Sequence, residues 1–522
     1  MSKSSFIKST LILSAATLVS KVLGSIFRIP LQNIAGDEVL GIFSLVYPVY
    51  MVALILSVAG IPIAISKLIA EARIKNNEDD IKEIYITAGI LGLLFGILSF
   101  ILIYSFSSPI AAALGGPSTR LSLIVVSATL LVAPYMAVYR GFFQGYEDMR
   151  PTALSQVLEQ FIRVGLILAI AYYLVSQNYS DQIVSGGVMA GSIVGAVFSL
   201  LYLRVIFNKS GLKPVSKKKY SYPAFSKWSK VILKISIPIC VGAITMALLN
   251  FVDSLTIPVG LRTAGADQGN INYLYGIYGR GLALVQIATV FATSIVLPLI
   301  PLITKKLAEK DYTKTTEIIE RTHRITHLVS WPAAFGLLAL TLPLNLALFT
   351  DLEGSLMLAI IGFSSVFTSL TVLGTGILQG MNLAGQAAIL IVAGVTIKIF
   401  SNIFLINIWG LEGAALSTLL VYMLLFILNS YFINRKIKFS FGNSNTVKII
   451  ISSVVMGLVI GLPTLLFEIE NWTRMIALVY VLAAIIAGGV LYALQLILYK
   501  AISKKELLNL PIIGKMLKKA SS

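Results

Sequence analysis

Charge is what this sequence has least of. Of its 522 residues only 12% are Asp, Glu, Lys or Arg, against about 25% in an ordinary soluble chain. Hydrophobic residues make up 57% and mean hydropathy is +0.89, which places the chain in a bilayer. A nucleic-acid binder would need a solvated basic face with aromatic platforms, and no long polar domain is there to carry one. The single cysteine, Cys240, excludes an internal disulfide. The two histidines, His323 and His327, stand one helical turn apart. They have no third ligand and no His-Glu-x-x-His pattern, so no metal is expected. The Walker A, nucleophile-elbow and dinucleotide fingerprints are all missing, so no hydrolytic or ATP-driven chemistry, and no enzyme, is expected.

What is abundant is apolar length. A span needs about 20 mainly apolar residues. Fourteen such stretches are read: 8–35, 38–66, 84–107, 120–140, 152–174, 184–207, 231–261, 276–304, 325–348, 355–379, 386–407, 411–433, 446–467 and 473–499. The first follows Lys3 and Lys8 but continues through Lys21 to Leu31, which fits a retained helix better than a signal peptide. Basic residues gather in alternate connections: 67–82, 208–230, 305–324, 434–448 and the tail, which holds Lys500, Lys504, Lys505, Lys515, Lys518 and Lys519. The other connections are nearly free of them. An even number of spans with both termini in the cytoplasm satisfies every loop. The run Lys217-Lys218-Lys219 beside Tyr220, Tyr222 and Trp228 suits anionic headgroups, and topological retention explains it equally well.

One motif occurs twice. Gln144-Gly145 closes Arg140-Gly141-Phe142-Phe143-Gln144-Gly145, and Gln379-Gly380 closes Gly376-Ile377-Leu378-Gln379-Gly380, 235 positions later. Nineteen residues after each glutamine, within an apolar run, lie Arg163 and Lys398. A second echo joins Ile61-Pro62-Ile63 and Lys67 to Ile300-Pro301-Leu302 and Lys306. The expected architecture is an all-α polytopic membrane protein of about 14 transmembrane helices. Two pseudo-symmetric six-helix lobes, 1–207 and 231–436, flank a basic linker, 208–230; helices 13 and 14 and a basic tail occupy 437–522. Duplication of this kind is a recurrent plan of membrane transporters.

The intramembrane charges are the expected site. Lys21, Arg163 and Lys398 fall near helix centres, and Arg28, Asp253 and Arg280 in outer halves. A cation at the bilayer centre costs about 2.5–3.5 kcal/mol, so three unpaired ones cost on the order of 9 kcal/mol. They must face a wet cavity or pair with acids. Glu159 and Arg163 have the order and spacing of an intrahelical pair, and Asp253 could neutralise Lys398 or Arg280. Acids in the helix centres are nevertheless too few, so the surplus should attract an anion, and phosphate suits arginine and lysine. Gly187, Gly191 and Gly195, like Gly457 and Gly461, form small-residue stripes suited to close helix packing. Pro62, Pro134, Pro238, Pro298 and Pro301 read as helix interruptions.

Arg140-Gly141-Phe142-Phe143-Gln144-Gly145-Tyr146, Met149, Pro151-Thr152-Ala153, Ser155-Gln156, Glu159-Gln160 and Arg163 together resemble the signature of bacterial polysaccharide-biosynthesis membrane proteins. These belong to the multidrug/oligosaccharidyl-lipid/polysaccharide exporter superfamily, in the branch with lipid II flippases and the stage V sporulation protein B group. The resemblance spans essentially the whole chain, from Thr10-Leu11-Ile12-Leu13 to the segment Leu510 to Gly514. It implies fourteen helices in two lobes around a V-shaped cavity, in a bacterial cell membrane. It also implies outward translocation of undecaprenyl-diphosphate-linked sugars, with lipid II or a related glycan lipid as cargo. Lys21, Arg28, Arg163, Arg280 and Lys398 would bind the diphosphate. Helix 1 departs from the flippase pattern of Ser-Arg-Val-Leu-Gly and a following Arg-Asp pair: here Ser20-Lys21-Val22-Leu23-Gly24 is followed by Phe27-Arg28. The base is lysine, the arginine has slipped by one and the acid is missing.

No cofactor is expected beyond a coupling ion, Na+ or H+, for which Asp253 with Asn402 is the candidate site. Expected partners are the lipid-linked oligosaccharide, anionic membrane lipids and cell-wall synthases, with no nucleic acid. The alternatives are a drug exporter coupled to a cation gradient and a non-transporting scaffold for envelope synthesis.

Overall fold

A computed structural model of the chain describes residues 3–58, 60–214, 218–439 and 444–501. Lys217, the tail lysines from Lys504 onward, the segment from Leu510 to Gly514 and the side chains of Pro238 and Pro298 lie outside the described residues. Among those described, the secondary structure is helical, with no strand. In chain order the helices are α1 (Lys3–Ile26), α2 (Arg28–Val58), α3 (Ile61–Ile74), α4 (Glu78–Ser105), α5 (Ser107–Ala113), α6 (Thr119–Ser127), α7 (Ala133–Gly145), α8 (Arg150–Ser176) and α9 (Asp181–Lys209). There follow α10 (Tyr222–Thr263), α11 (Gln268–Ala308), α12 (Tyr312–Ala339), α13 (Thr341–Phe349), α14 (Ser355–Gly380), α15 (Ala384–Lys436), α16 (Ser444–Leu466) and α17 (Arg474–Leu498).

By length and composition ten of these stretches could cross a membrane, or eleven with the α12–α13 pair, which bends by 78°. The tally differs from fourteen because α10, read as the span 231–261, is not among the ten, and because two stretches, 12–74 and 384–436, are 63 and 53 residues long and each counts once. At 1.5 Å per residue both far exceed a hydrocarbon core of about 30 Å. Local backbone breaks divide them. Gly36 adopts φ 79°, ψ 177° inside α2, a conformation that a side chain would strain. Gly410 does likewise inside α15 at φ 55°, ψ −132°, in the gap read between 407 and 411. Pro62 and Pro134 stand in the first turns of α3 and α7, where a missing N–H costs nothing. By contrast, α11 runs on past Pro301 to Ala308. Asn77, Asp311 and Thr473 cap α4, α12 and α17 by accepting from backbone N–H groups.

The helices group into two compact units. The first comprises Met1–Ala283 with Ile391–Ala414, and the second Leu284–Leu390 with Ala415–Ser522. In the first, the aromatic motif is a packing device. Phe142 is fully buried and meets Tyr85, Phe207 and Tyr146 at centroid distances of 5.5, 5.0 and 4.9 Å. A Cβ on Gly145 would lie 2.8 Å from the Cβ of Ile69 and 3.1 Å from the Ser66 carbonyl, so only glycine lets α7 close on α3. The second unit repeats this contact: a Cβ on Gly380 would lie 3.0 Å from the Cβ of Ile303 and 3.1 Å from the Ile300 carbonyl. The duplication is thus visible as geometry. It also corrects the register of the second echo. Ile303 lies 234 positions after Ile69, so packing matches Pro62 to Val296, the neighbours of Gly141 and Gly376, and not to Pro301.

The small-residue stripes behave as read. A Cβ on Gly191 would lie 2.9 Å from the Arg163 carbonyl, and one on Gly195 2.7 Å from that of Glu159. These glycines seat α9 directly on the backbone of α8 where its charged residues lie. Gly457 and Gly461 seat α16 against Phe335 and Ala339 of α12. Gly195→Leu should therefore lower the thermal midpoint in detergent by an amount matching about 1–3 kcal/mol of overpacking. Gly165→Leu, on the open face of α8, should leave the midpoint unchanged.

The basic linker is partly neutralised within the first unit. Lys218 Nζ lies 2.7 Å from Glu83 Oε1, and the Trp228 indole donates to Glu83 Oε2 at 2.9 Å. Tyr220 and Thr87 share a hydroxyl hydrogen bond of 2.9 Å. The carboxylate holds the Lys218 ammonium above the ordinary lysine range.

Candidate functional site

The five bases named from sequence fall into three environments, all in the first unit. The first is built where α2 and α11 nearly touch: a side chain on Gly41 would collide with the Asn272 carbonyl, and one on Gly276 with that of Asp37. This close approach delivers Asp37 to Arg280, which is fully buried. Arg280 Nε donates to Asp37 Oδ1 at 2.7 Å and Nη2 donates to Oδ2, a two-pronged pair. Gln32 Nε2 adds a bond to Asp37 Oδ2 at 3.0 Å.

The second environment surrounds Lys398. Its Nζ lies 3.0 Å from Asp253 Oδ2, and the two side chains are 1% and 2% exposed. Asn402 Nδ2 donates to Asp253 Oδ1 at 2.9 Å and to Thr256 Oγ1 at 2.7 Å, and the Tyr278 hydroxyl donates to Asp253 Oδ2 at 3.2 Å. Of the two roles open to Asp253 as a counter-ion, the structure selects Lys398, and Arg280 takes Asp37 instead. Lys398 and Arg163 are a repeat pair in sequence, but their surroundings differ.

The third environment holds Lys21, Arg28 and Arg163. Arg163 does not pair with Glu159. Arg140 has taken that carboxylate at 2.7 Å, and it also bonds Ser155 at 3.0 Å and Ser199 at 3.1 Å, which draws Glu159 toward α7 and α9. Arg163 Nη2 instead donates to the Tyr47 hydroxyl at 2.6 Å, and its Cζ sits 5.5 Å from the Tyr47 ring centroid. Arg28, 7% exposed, sits 5.9 Å from the rings of both Phe43 and Tyr47. Lys21 is half-buried on α1, which packs on α8. Among the described residues none of these three bases has a carboxylate within ion-pair distance. Arg28 Nε, Arg163 Nε, Gln160 Nε2 and the Tyr275 hydroxyl are all buried and without a hydrogen-bond partner. Buried donors left unpaired are rare and costly. Four of them beside uncompensated cations ask for an anion.

Of the motif residues, Arg140, Gly141, Gly145, Glu159 and Gly380 build the helix contacts just described. Gln144 and Gln379 are half-buried next to them. Asp37, Tyr47, Tyr278 and Thr256 were not singled out from sequence. The spacing of Phe43, Tyr47 and Tyr50, one helical face beside Arg28, carried the signal for Tyr47. Asp37 lay between two apolar runs and read as a loop residue. His323 stacks on Phe439 at 5.1 Å, and His327 Nδ1 accepts from the Trp331 indole at 2.9 Å. No group of three or more metal-ligating side chains forms among the described residues.

A duplicated helical frame of long apolar helices, with bases sunk in it, defines a multi-pass membrane protein. The chain belongs to the polysaccharide biosynthesis protein family, which it matches over residues 6–306. It is 30% identical over 512 residues to the uncharacterized membrane protein YabM of Bacillus subtilis, covering 97% of this chain and 95% of that one. It is 25% identical over 516 residues to the lipid II flippase MurJ of the same organism, covering 93% and 94%. A solved MurJ in an inward closed conformation shares the fold at a TM-score of 0.62 and 18% identity, covering 94% of this chain and 99% of that one. An inward-facing multidrug resistance transporter of the MATE family gives 0.64 at 16% identity, covering 81% and 94%. The fold is thus shared with both of these solved structures.

Proposed function

We propose that this protein is a flippase, not an enzyme. It carries a polyprenyl-diphosphate-linked glycan precursor, lipid II or a related envelope lipid, from the inner to the outer leaflet of the cell membrane by alternating access. Both termini stay in the cytoplasm. The observation that carries the reading is the trio Lys21, Arg28 and Arg163, which among the described residues has no carboxylate partner while Glu159, Asp37 and Asp253 are each committed to another base. A diphosphate supplies the missing negative charge and the acceptors for the idle donors. A cationic drug would instead want those acids free, which speaks against the exporter alternative. Arg280 and Lys398 support the site from within closed pairs.

The driving force is an ion gradient, the membrane potential or the substrate gradient. We assign any coupling by Na+ or H+ to Asp253 with Asn402, whose contacts join α10 to the Ile391–Ala414 stretch. Contacts with anionic lipids and cell-wall synthases belong to the same reading.

The test is complementation of a flippase-depleted bacterial strain. The wild-type chain should restore growth and expose the lipid-linked precursor to an outside probe. No growth, combined with measurable drug efflux, would overturn the proposal.

A further inference from the structure

Two positively charged side chains rarely stay together without a counter-ion. Arg28 and Arg163 come from different helices, α2 and α8, yet share one aromatic ring: Tyr47 lies 5.9 Å from the first guanidinium and 5.5 Å from the second. The ring is itself fixed. It stacks on Phe43 at 5.4 Å with an interplanar angle of 16°, and lies 5.9 Å from Tyr50, so three aromatics form a ladder along one face of α2. Its hydroxyl accepts from Arg163 Nη2 at 2.6 Å. The other acceptor near Arg163, Gln160 Oε1, is 3.5 Å away, at the limit of a hydrogen bond. Gln160 itself sits over Gly24 of α1, its Nε2 2.8 Å from where a Cβ would stand. The face of an aromatic ring attracts a guanidinium, and more strongly once water is excluded. Tyr47 therefore supplies Arg28, together with Phe43, with a ring face and supplies Arg163 with its shortest hydrogen bond, so that it is the one ring both arginines share.

We infer that Tyr47 is a positioning residue that holds Arg28 and Arg163 on one ring, so that they grip a single ligand carrying two phosphoryl groups, and that it thereby sets a preference for diphosphate over monophosphate. The inference rests on the flippase reading and names the residue that shapes its site. The bond to Tyr47 leaves Arg163 Nε idle, and Arg28 offers its whole guanidinium fork. Each arginine can thus take one phosphoryl group. A monophosphate could engage only one of them fully.

The experiment uses the full chain in detergent, with farnesyl diphosphate and farnesyl monophosphate as probes and calorimetry as the readout. Tyr47→Phe keeps the ring, its stacking on Phe43 and the cation–π faces but removes the acceptor for Arg163. The wild type should bind the diphosphate at least tenfold more tightly than the monophosphate. Tyr47→Phe should weaken diphosphate binding about tenfold, leave monophosphate binding within twofold and keep the thermal midpoint. Tyr47→Leu, which also removes the ring, should abolish the preference. If both probes weaken in parallel, Tyr47 is merely structural and the inference fails. If diphosphate binding is unchanged in Tyr47→Phe, it fails too, while the flippase reading stands. If the wild type binds neither probe, the anion site itself is wrong and both fall.

Discussion

Lys398→Ala should leave little folded protein in the membrane, and adding Asp253→Asn should bring the protein back. The pair is sealed, with both side chains at 2% exposure or less, so losing the ammonium strands a carboxylate among helices. Breaking a buried pair from one side costs about 3–5 kcal/mol, a large part of a net stability of about 5–15 kcal/mol. The double variant removes both charges. Asn402 can still donate to an amide oxygen at position 253, and Thr256 still offers its hydroxyl. Fluorescence-detected gel filtration of membrane extracts reads the amount of folded protein directly. A single variant that stays fully folded would mean that Lys398 has another anion to meet.

The opposite pattern is expected at Arg163 and Arg28. Among the described residues neither neutralises a carboxylate, so Arg163→Ala and Arg28→Ala should yield as much folded protein as wild type, or more. Removing an uncompensated base relieves about 2.5–3.5 kcal/mol if it sits at mid-bilayer. Flipping should nevertheless be abolished in both variants. Arg163→Lys should retain part of the activity, since the charge survives without the fork. The two measurements, folded yield and outward exposure of precursor, separate bases that hold the protein together from bases that hold its cargo. Normal flipping by either alanine variant would remove that arginine from the site.

The sequence made the helices legible because twenty-residue apolar runs have almost no other use, and the duplication legible because Gln-Gly recurs at a fixed distance from a buried base. It did not reveal which acid meets which base. Glu159 stands four residues before Arg163, and local spacing alone favours that pair. The serines of α8 and α9 give Arg140 a better seat, and this depends on how Gly195 lets the two helices close. Asp37 was missed for a related reason: its partner lies 243 residues away in sequence and reaches it only through a crossing of two glycine faces. The register of the prolines misled because Ile-Pro is a short signal. The contact made by Gly145 and by Gly380 is a longer-range constraint and shows the true alignment.

That repeated glycine contact separates what the molecule inherits as scaffold from what it can alter as cargo chemistry. The Gly145 and Gly380 crossings contain no charge, since they meet Ile69 with Ser66 and Ile303 with Ile300. A lineage carrying this contact can exchange an unsealed base such as Arg28 without renegotiating how these helices meet. One descendant of a duplicated position can be locked to a carboxylate while its twin stays available to a visitor.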